Sequence, residues 1–139
     1  MITAVTHATR YVPDLDEAVT FYQQLGFQVV TDNPMEIGPG RTARWLSMSL
    51  PSQPGFELVL QDPAQWMDGE ALARVEAGMG SQPQIILSTD DVESLCTSLQ
   101  QAGVTLPYGT IGDMPWGRDL AFLDTSGSGL YVIQPHASA

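Results

Sequence analysis

Residues 6–12, Thr-His-Ala-Thr-Arg-Tyr-Val, carry only one small apolar residue among polar, β-branched and aromatic types, and this pattern predicts a strand whose faces alternate with period two. His7, Thr9 and Tyr11 fall on one face; Ala8, Arg10 and Val12 fall on the other. Arg10 is the odd member, because its face should pack on a helix. After Asp14 the period changes. Leu15, Ala18, Val19, Tyr22 and Leu25 recur at helical spacing, Asp14 with Glu17 forms a capping box, and Gly26 supplies a stop. Strands are predicted at 27–31, 44–50 and 56–61, with a loop over 32–40 marked by Pro34, Gly38, Pro39 and Gly40. On the third strand Trp45, Ser47 and Ser49 oppose Leu46 and Met48. The order is β-α-β-β-β.

Shifted by 77 places, the chain matches itself over more than thirty residues: Gln23-Gln24-Leu25-Gly26 falls on Gln100-Gln101-Ala102-Gly103. A repeat of this kind sets the architecture before any single motif does. The second copy predicts a strand at 84–89, a helix capped by Asp91 and ended by Gly103, and strands at 104–106, 120–123 and 130–133, the last two joined by the turn 124–129. The repeat pairs His7 with Gln84, Arg41 with Arg118 and Trp45 with Phe122. The expected organisation is one α+β domain over 1–139: module one at 1–62, a linker at 63–80 with a short helix at 70–77, and module two at 81–139. Neither half buries enough apolar surface to fold alone.

Charge narrows the partners. The chain carries no lysine, five arginines and a formal charge of −11, so it lacks the basic surface that nucleic-acid binding requires. Such a field attracts cations, although its simplest use is solubility. No apolar run reaches membrane-spanning length, and the first residues do not form a signal peptide. The single cysteine, Cys96, fits a reducing cytoplasm. His136 reads as a solvated residue near the C-terminus.

The stretch His7-Ala-Thr-Arg-Tyr-Val-Pro-Asp-Leu-Asp-Glu-Ala-Val-Thr-Phe-Tyr-Gln-Gln-Leu-Gly-Phe27, its echo from Gln84 to Gly103 and the turn from Asp124 to Gly129 resemble the vicinal oxygen chelate superfamily. That superfamily includes glyoxalase I, bleomycin-resistance proteins, extradiol dioxygenases and fosfomycin-resistance enzymes. The resemblance implies two curled sheets around a cleft, a homodimer, and metal ligands on the first and last strands of each module. His7, Glu57 and Gln84 match ligand positions for a divalent ion, and Tyr131 stands where most metal-using members have glutamate. A neutral phenol is a poor ligand for such an ion. Metal catalysis needs three firm ligands and an open position.

The residues leave two function classes open. In the first, the protein binds a small organic ligand, a cationic aromatic compound fitting the charge. Thr9, Tyr11, Trp45, Ser47, Trp116, Arg118, Phe122 and Tyr131 would line its cleft, and no cofactor is needed. In the second it is a metal-dependent lyase, isomerase or dioxygenase, with His7, Glu57 and Gln84 as ligands and Glu57 as catalytic base. Each residue also has a structural reading. The aromatics serve as core, the arginines as salt-bridge partners of carboxylates such as Asp32 or Asp113, and Glu57 as a solvent-facing or interface charge.

Overall fold

A computed structural model describes residues 1–137 and divides the chain into two compact units, Met1–Met79 and the part from Gly80 onward. Unit one runs β1 (His7–Tyr11), α1 (Leu15–Gln24), β2 (Gln28–Gly38), β3 (Arg41–Ser49), β4 (Glu57–Gln61), α2 (Pro63–Trp66) and α3 (Gly69–Ala77). Unit two opens with a 3-10 turn at Met79–Ser81 that straddles the boundary. It continues with β5 (Ile85–Ser88), α4 (Val92–Gln101), β6 (Gly112–Met114), β7 (Gly117–Leu123) and β8 (Gly129–Pro135). Each unit has one four-stranded mixed sheet, ordered β1-β4-β3-β2 and β5-β8-β7-β6. The α+β class and the repeated β-α-β-β-β order are those expected. Among the described residues no helix is long and apolar enough to cross a membrane.

The two long helices start alike. Asp14 Oδ1 accepts the Glu17 N–H at 3.0 Å, and Asp91 Oδ1 accepts the Ser94 N–H at 3.0 Å. Each cap is worth about 1 kcal/mol. Leu15, Ala18, Phe21 and Tyr22 form the buried stripe of α1; Val92, Cys96 and Leu99 form that of α4.

Two equivalent ion pairs show which sheet face each helix covers. Arg44 of β3 donates to Asp16 of α1 at 2.8 Å and to both Asp32 oxygens at 2.7 and 2.9 Å. Arg118 of β7 donates to Glu93 of α4 at 2.9 Å. Strand alternation then puts Leu46 and Met48, and likewise Leu120 and Phe122, on the helix side, where all four are buried. Exposed pairs of this kind contribute about 0–1 kcal/mol, whereas each buried leucine or methionine contributes about 1.5–3 kcal/mol. The apolar face supplies the stability and the arginines orient the helix.

The helix-side core of unit one also takes Leu58 and Leu60 of β4. Arg10, which pairs in register with Leu60, lies on this side and is 1% exposed. The odd position in the strand pattern is therefore a buried arginine.

Two expectations fail. Residues 32–40 are not a loop: β2 continues to Gly38 with register shifts at Val29/Thr31 and Glu36/Gly38. It is an edge strand, where bulges and a proline such as Pro34 are tolerated. Residues 104–106 are not a strand either. A single backbone bond, Leu123 N–H to the Thr105 carbonyl at 3.0 Å, ties them to the sheet. The edge beside β7 is taken by β6, which pairs Met114 with Gly117 across the turn Pro115-Trp116.

Gly117 has φ +150°, and a Cβ there would collide with the Gln134 carbonyl. Gly117→Ala is expected to lower stability by about 1–3 kcal/mol, read as a shift in the urea midpoint. Asp32 gives a pH test. Its hydrogen bonds from Arg44 hold its carboxyl below the ordinary carboxylate value of 3.8. The stability this contributes is present above that value and lost as pH falls through the lower folded value. Melting between pH 5 and 2 is expected to fall less steeply in Asp32→Asn than in the wild type.

Candidate functional site

The face of unit one turned away from α1 carries the predicted chemistry. β1 and β4 run parallel with His7 beside Glu57 and Thr9 beside Val59, so these side chains share one side of the sheet. His7 Nε2 lies 3.4 Å from Glu57 Oε2, and the buried Ser47 hydroxyl donates to Glu57 Oε1 at 2.7 Å. The other imidazole nitrogen, Nδ1, lies 2.8 Å from Thr6 Oγ1. His7, Glu57 and Ser47 therefore meet on one face, with Ser47 fixing the rotamer of Glu57. Tyr11 sits at the far end of the same strand, beside Gln61.

The same face continues through β3 into β2, because Thr31 pairs with Ser47, Asn33 with Trp45 and Met35 with Ala43. Thr31, Asn33, Met35 and Trp45 line an open hollow of about 420 Å³. Trp66 of α2 stands edge-on to Trp45, with ring centroids 6.2 Å apart and planes at 78°. Gln65 of α2 accepts the Arg44 backbone N–H at 2.9 Å, which ties that helix to β3. Thr31 and Asn33 went unseen in the sequence because they lie at or beside the stretch read as a loop. The alternation Thr31-Asn33-Met35 was the available signal.

Unit two places its residues differently. Gln84 is exposed and immediately precedes β5. Tyr131 pairs with Ile86 on one side and Ala121 on the other, on the face turned away from α4. Its hydroxyl donates to Asp119 Oδ2 and accepts the Trp116 Nε1–H at 3.0 Å. The bond to Asp119, with burial, raises the Tyr131 phenol above its ordinary value, and the Trp116 bond opposes this. Asp119 was missed because the strand was begun at Leu120, one residue too late to show its alternation with Ala121.

Two assignments to the ligand cleft are corrected. Phe122 is 0% exposed on the helix side of β7, where it pairs with Leu130. The register makes it the counterpart of Met48, which pairs with Leu58, and not of Trp45. Arg118 also faces α4 and is held by Glu93. Its counterpart is Arg44, while Arg41 pairs with Asp68 at 3.9 Å. The salt-bridge reading of both arginines is the one observed, with Asp68 and Glu93 as partners in place of Asp32 and Asp113. His136 is exposed, with Nε2 2.9 Å from the Met114 carbonyl.

The donor set bears on a metal. His7 and Glu57 are two donors, and one Glu57 oxygen already takes the Ser47 proton. Among the described residues no group of three or more His, Cys, Asp or Glu side chains is placed to hold an ion. This falls short of the three firm ligands that a catalytic centre requires.

The family model described as "Glyoxalase/Bleomycin resistance protein/Dioxygenase superfamily" matches residues 4–131. No curated protein matches the chain. The crystal structure of UcmS2 is 30% identical with a TM-score of 0.77, covering 96% of this chain and 98% of that one. TnmS3, an antibiotic binding protein from Streptomyces sp. CB03234, is 30% identical with a TM-score of 0.74, covering 96% and 97%. The bleomycin resistance determinant encoded on transposon Tn5 shares the fold at 18% identity and a TM-score of 0.61, covering 97% and 100%.

Ser47→Ala removes a hydrogen bond to a carboxylate and is expected to cost about 1.5–3 kcal/mol in urea unfolding. Asp119→Asn is expected to lower the Tyr131 pKa, read from the Cζ shift of ¹³C-labelled tyrosine between pH 8 and 12.

Proposed function

Because the chain belongs to the glyoxalase/bleomycin resistance protein/dioxygenase superfamily, we propose that it is a binding protein for a small organic molecule with an aromatic, cationic body. The hollow beside Trp45 carries this reading. Its volume of about 420 Å³ is of ligand size, and its wall joins an indole and a thioether to the polar tips of Thr31 and Asn33. A formal charge of −11 draws a cation toward any such face. The antibiotic-binding description of TnmS3, at 30% identity over nearly the whole chain, supports the same class of activity. In this reading the protein works as a homodimer in the cytoplasm, and sedimentation of the untagged protein should give twice the chain mass.

A metal-dependent lyase, isomerase or dioxygenase would need a third donor beside His7 and Glu57. Sequestration needs none, so Glu57 here acts as the polar, anionic end of the sheet face, oriented by Ser47.

Tryptophan fluorescence against a panel of cationic aromatic compounds tests the reading. At least one compound is expected to quench saturably, with binding weakened about tenfold or more in Trp45→Ala, an aromatic-anchor loss of 1.4 kcal/mol or above. Absence of saturable quenching across the panel, or full affinity in a folded Trp45→Ala, sinks it. Untagged protein is expected to carry well under one divalent ion per chain; a stoichiometric ion would favour the enzyme instead.

A further inference from the structure

Unit two carries an arrangement that the Trp45 hollow does not use. β6 and β7 form a hairpin whose two-residue turn presents Trp116, 54% exposed, at its tip. The indole does not point freely into solvent. Its N–H is tied to the Tyr131 hydroxyl, and that hydroxyl donates onward to Asp119. Asp119 is nearly buried, and its second oxygen lies over Gly112, where a Cβ would collide with it. Gly117 lets the hairpin approach β8 at the Gln134 carbonyl. Ile86, 62% exposed, flanks Tyr131 across the parallel ladder.

This chain of bonds has a chemical consequence. A phenol that donates strongly to a carboxylate gains electron density in its ring, which makes the ring face more attractive to a cation. The Asp119 charge lies at the phenol oxygen and is nearly buried, so its field is less screened than that of a surface carboxylate. The half-exposed indole bonded to Tyr131 and the exposed isoleucine paired with it add apolar surface that suits a soft, poorly hydrated cation. A compact, strongly hydrated ammonium or metal ion gains less from such a surface.

We propose that Trp116, Tyr131, Asp119 and Ile86 form a recognition site for the alkylated ammonium group of an organic ligand. The aromatic faces contact the N-alkyl groups, and Asp119 supplies the opposing charge through Tyr131. The site stands on unit two's own residues and does not depend on the Trp45 hollow. A protein that fails the fluorescence panel through Trp45 can still pass here, and the reverse holds.

The test uses the full chain with choline and its neutral isostere 3,3-dimethylbutan-1-ol as probes, followed by the indole N–H resonances in ¹H–¹⁵N spectra. Trp116→Phe assigns the resonance. Choline is expected to shift the Trp116 signal saturably, with the isostere at least tenfold weaker. Trp116→Ala, at an exposed turn, is expected to weaken choline binding roughly three- to thirty-fold, read on the ligand signals. Asp119→Asn, which keeps an acceptor for Tyr131 and loses the charge, is expected to abolish the preference for choline over the isostere. If Asp119→Asn does not fold, Trp116→Ala alone decides. Equal binding of the two probes to the wild type, no binding of choline, or wild-type affinity in a folded Trp116→Ala would overturn the assignment.

Discussion

The register of the parallel pair joining the first and last strands of each unit is the constraint from which the rest follows. In unit one it sets His7 beside Glu57, and in unit two it sets Ile86 beside Tyr131. Side chains alternate with period two, so a slip of one residue would send Glu57 into the core and Leu58 into solvent. The apolar residues of β4 make that slip costly. Leu58 and Leu60 must both reach the helix side, each for about 1.5–3 kcal/mol, and a one-residue slip satisfies neither. The polar face is thus positioned by the packing of the opposite face.

The duplication is conserved in scaffold and relaxed in chemistry. Both units cap the long helix with an aspartate, and both reach from the third strand to the helix with an arginine: Arg44 to Asp16, Arg118 to Glu93. Both extend the parallel ladder by one further bond, Val12 N–H to the Gln61 carbonyl and Thr89 N–H to the Ile133 carbonyl. On the open faces the units part. One holds a serine–glutamate–histidine cluster, the other a tryptophan–tyrosine–aspartate chain. Ser47 answers to Ala121 and Val59 to Tyr131. On the helix side the differences keep the positions buried, Met48 against Phe122 for example, whereas on the open faces the chemistry itself changes.

This explains which features were readable in the amino acids. The fold class and both long helices rest on local periodicity and capping, which a single strand or helix displays by itself; the meeting of His7, Glu57 and Ser47 is set by the pairing of β1, β4 and β3, which no single strand displays. Pro34 and Gly38 read as loop signals, because nothing local tells that β2 is an edge strand able to absorb bulges. The constant offset between the copies also misled. It holds from the first strand through the helix and then shortens, so Trp45 was matched to Phe122 and Arg41 to Arg118. Only the ladder shows that Phe122 stands with Met48 and Arg118 with Arg44. Asp119 was invisible for a related reason: a charged residue at the start of an apolar run looks like a strand end unless its tyrosine partner is known.

The irregular course of β2 bears on what its outer margin offers to another extended segment. A straight, unbroken margin displays evenly spaced amide and carbonyl groups to which a foreign extended segment can zip, and the bare Val29 and Val30 would reward it for doing so. Two bulges and the imide nitrogen of Pro34 break that spacing. Backbone geometry of this kind disfavours fibril-type growth from the rim, without any lysine to act as a guard.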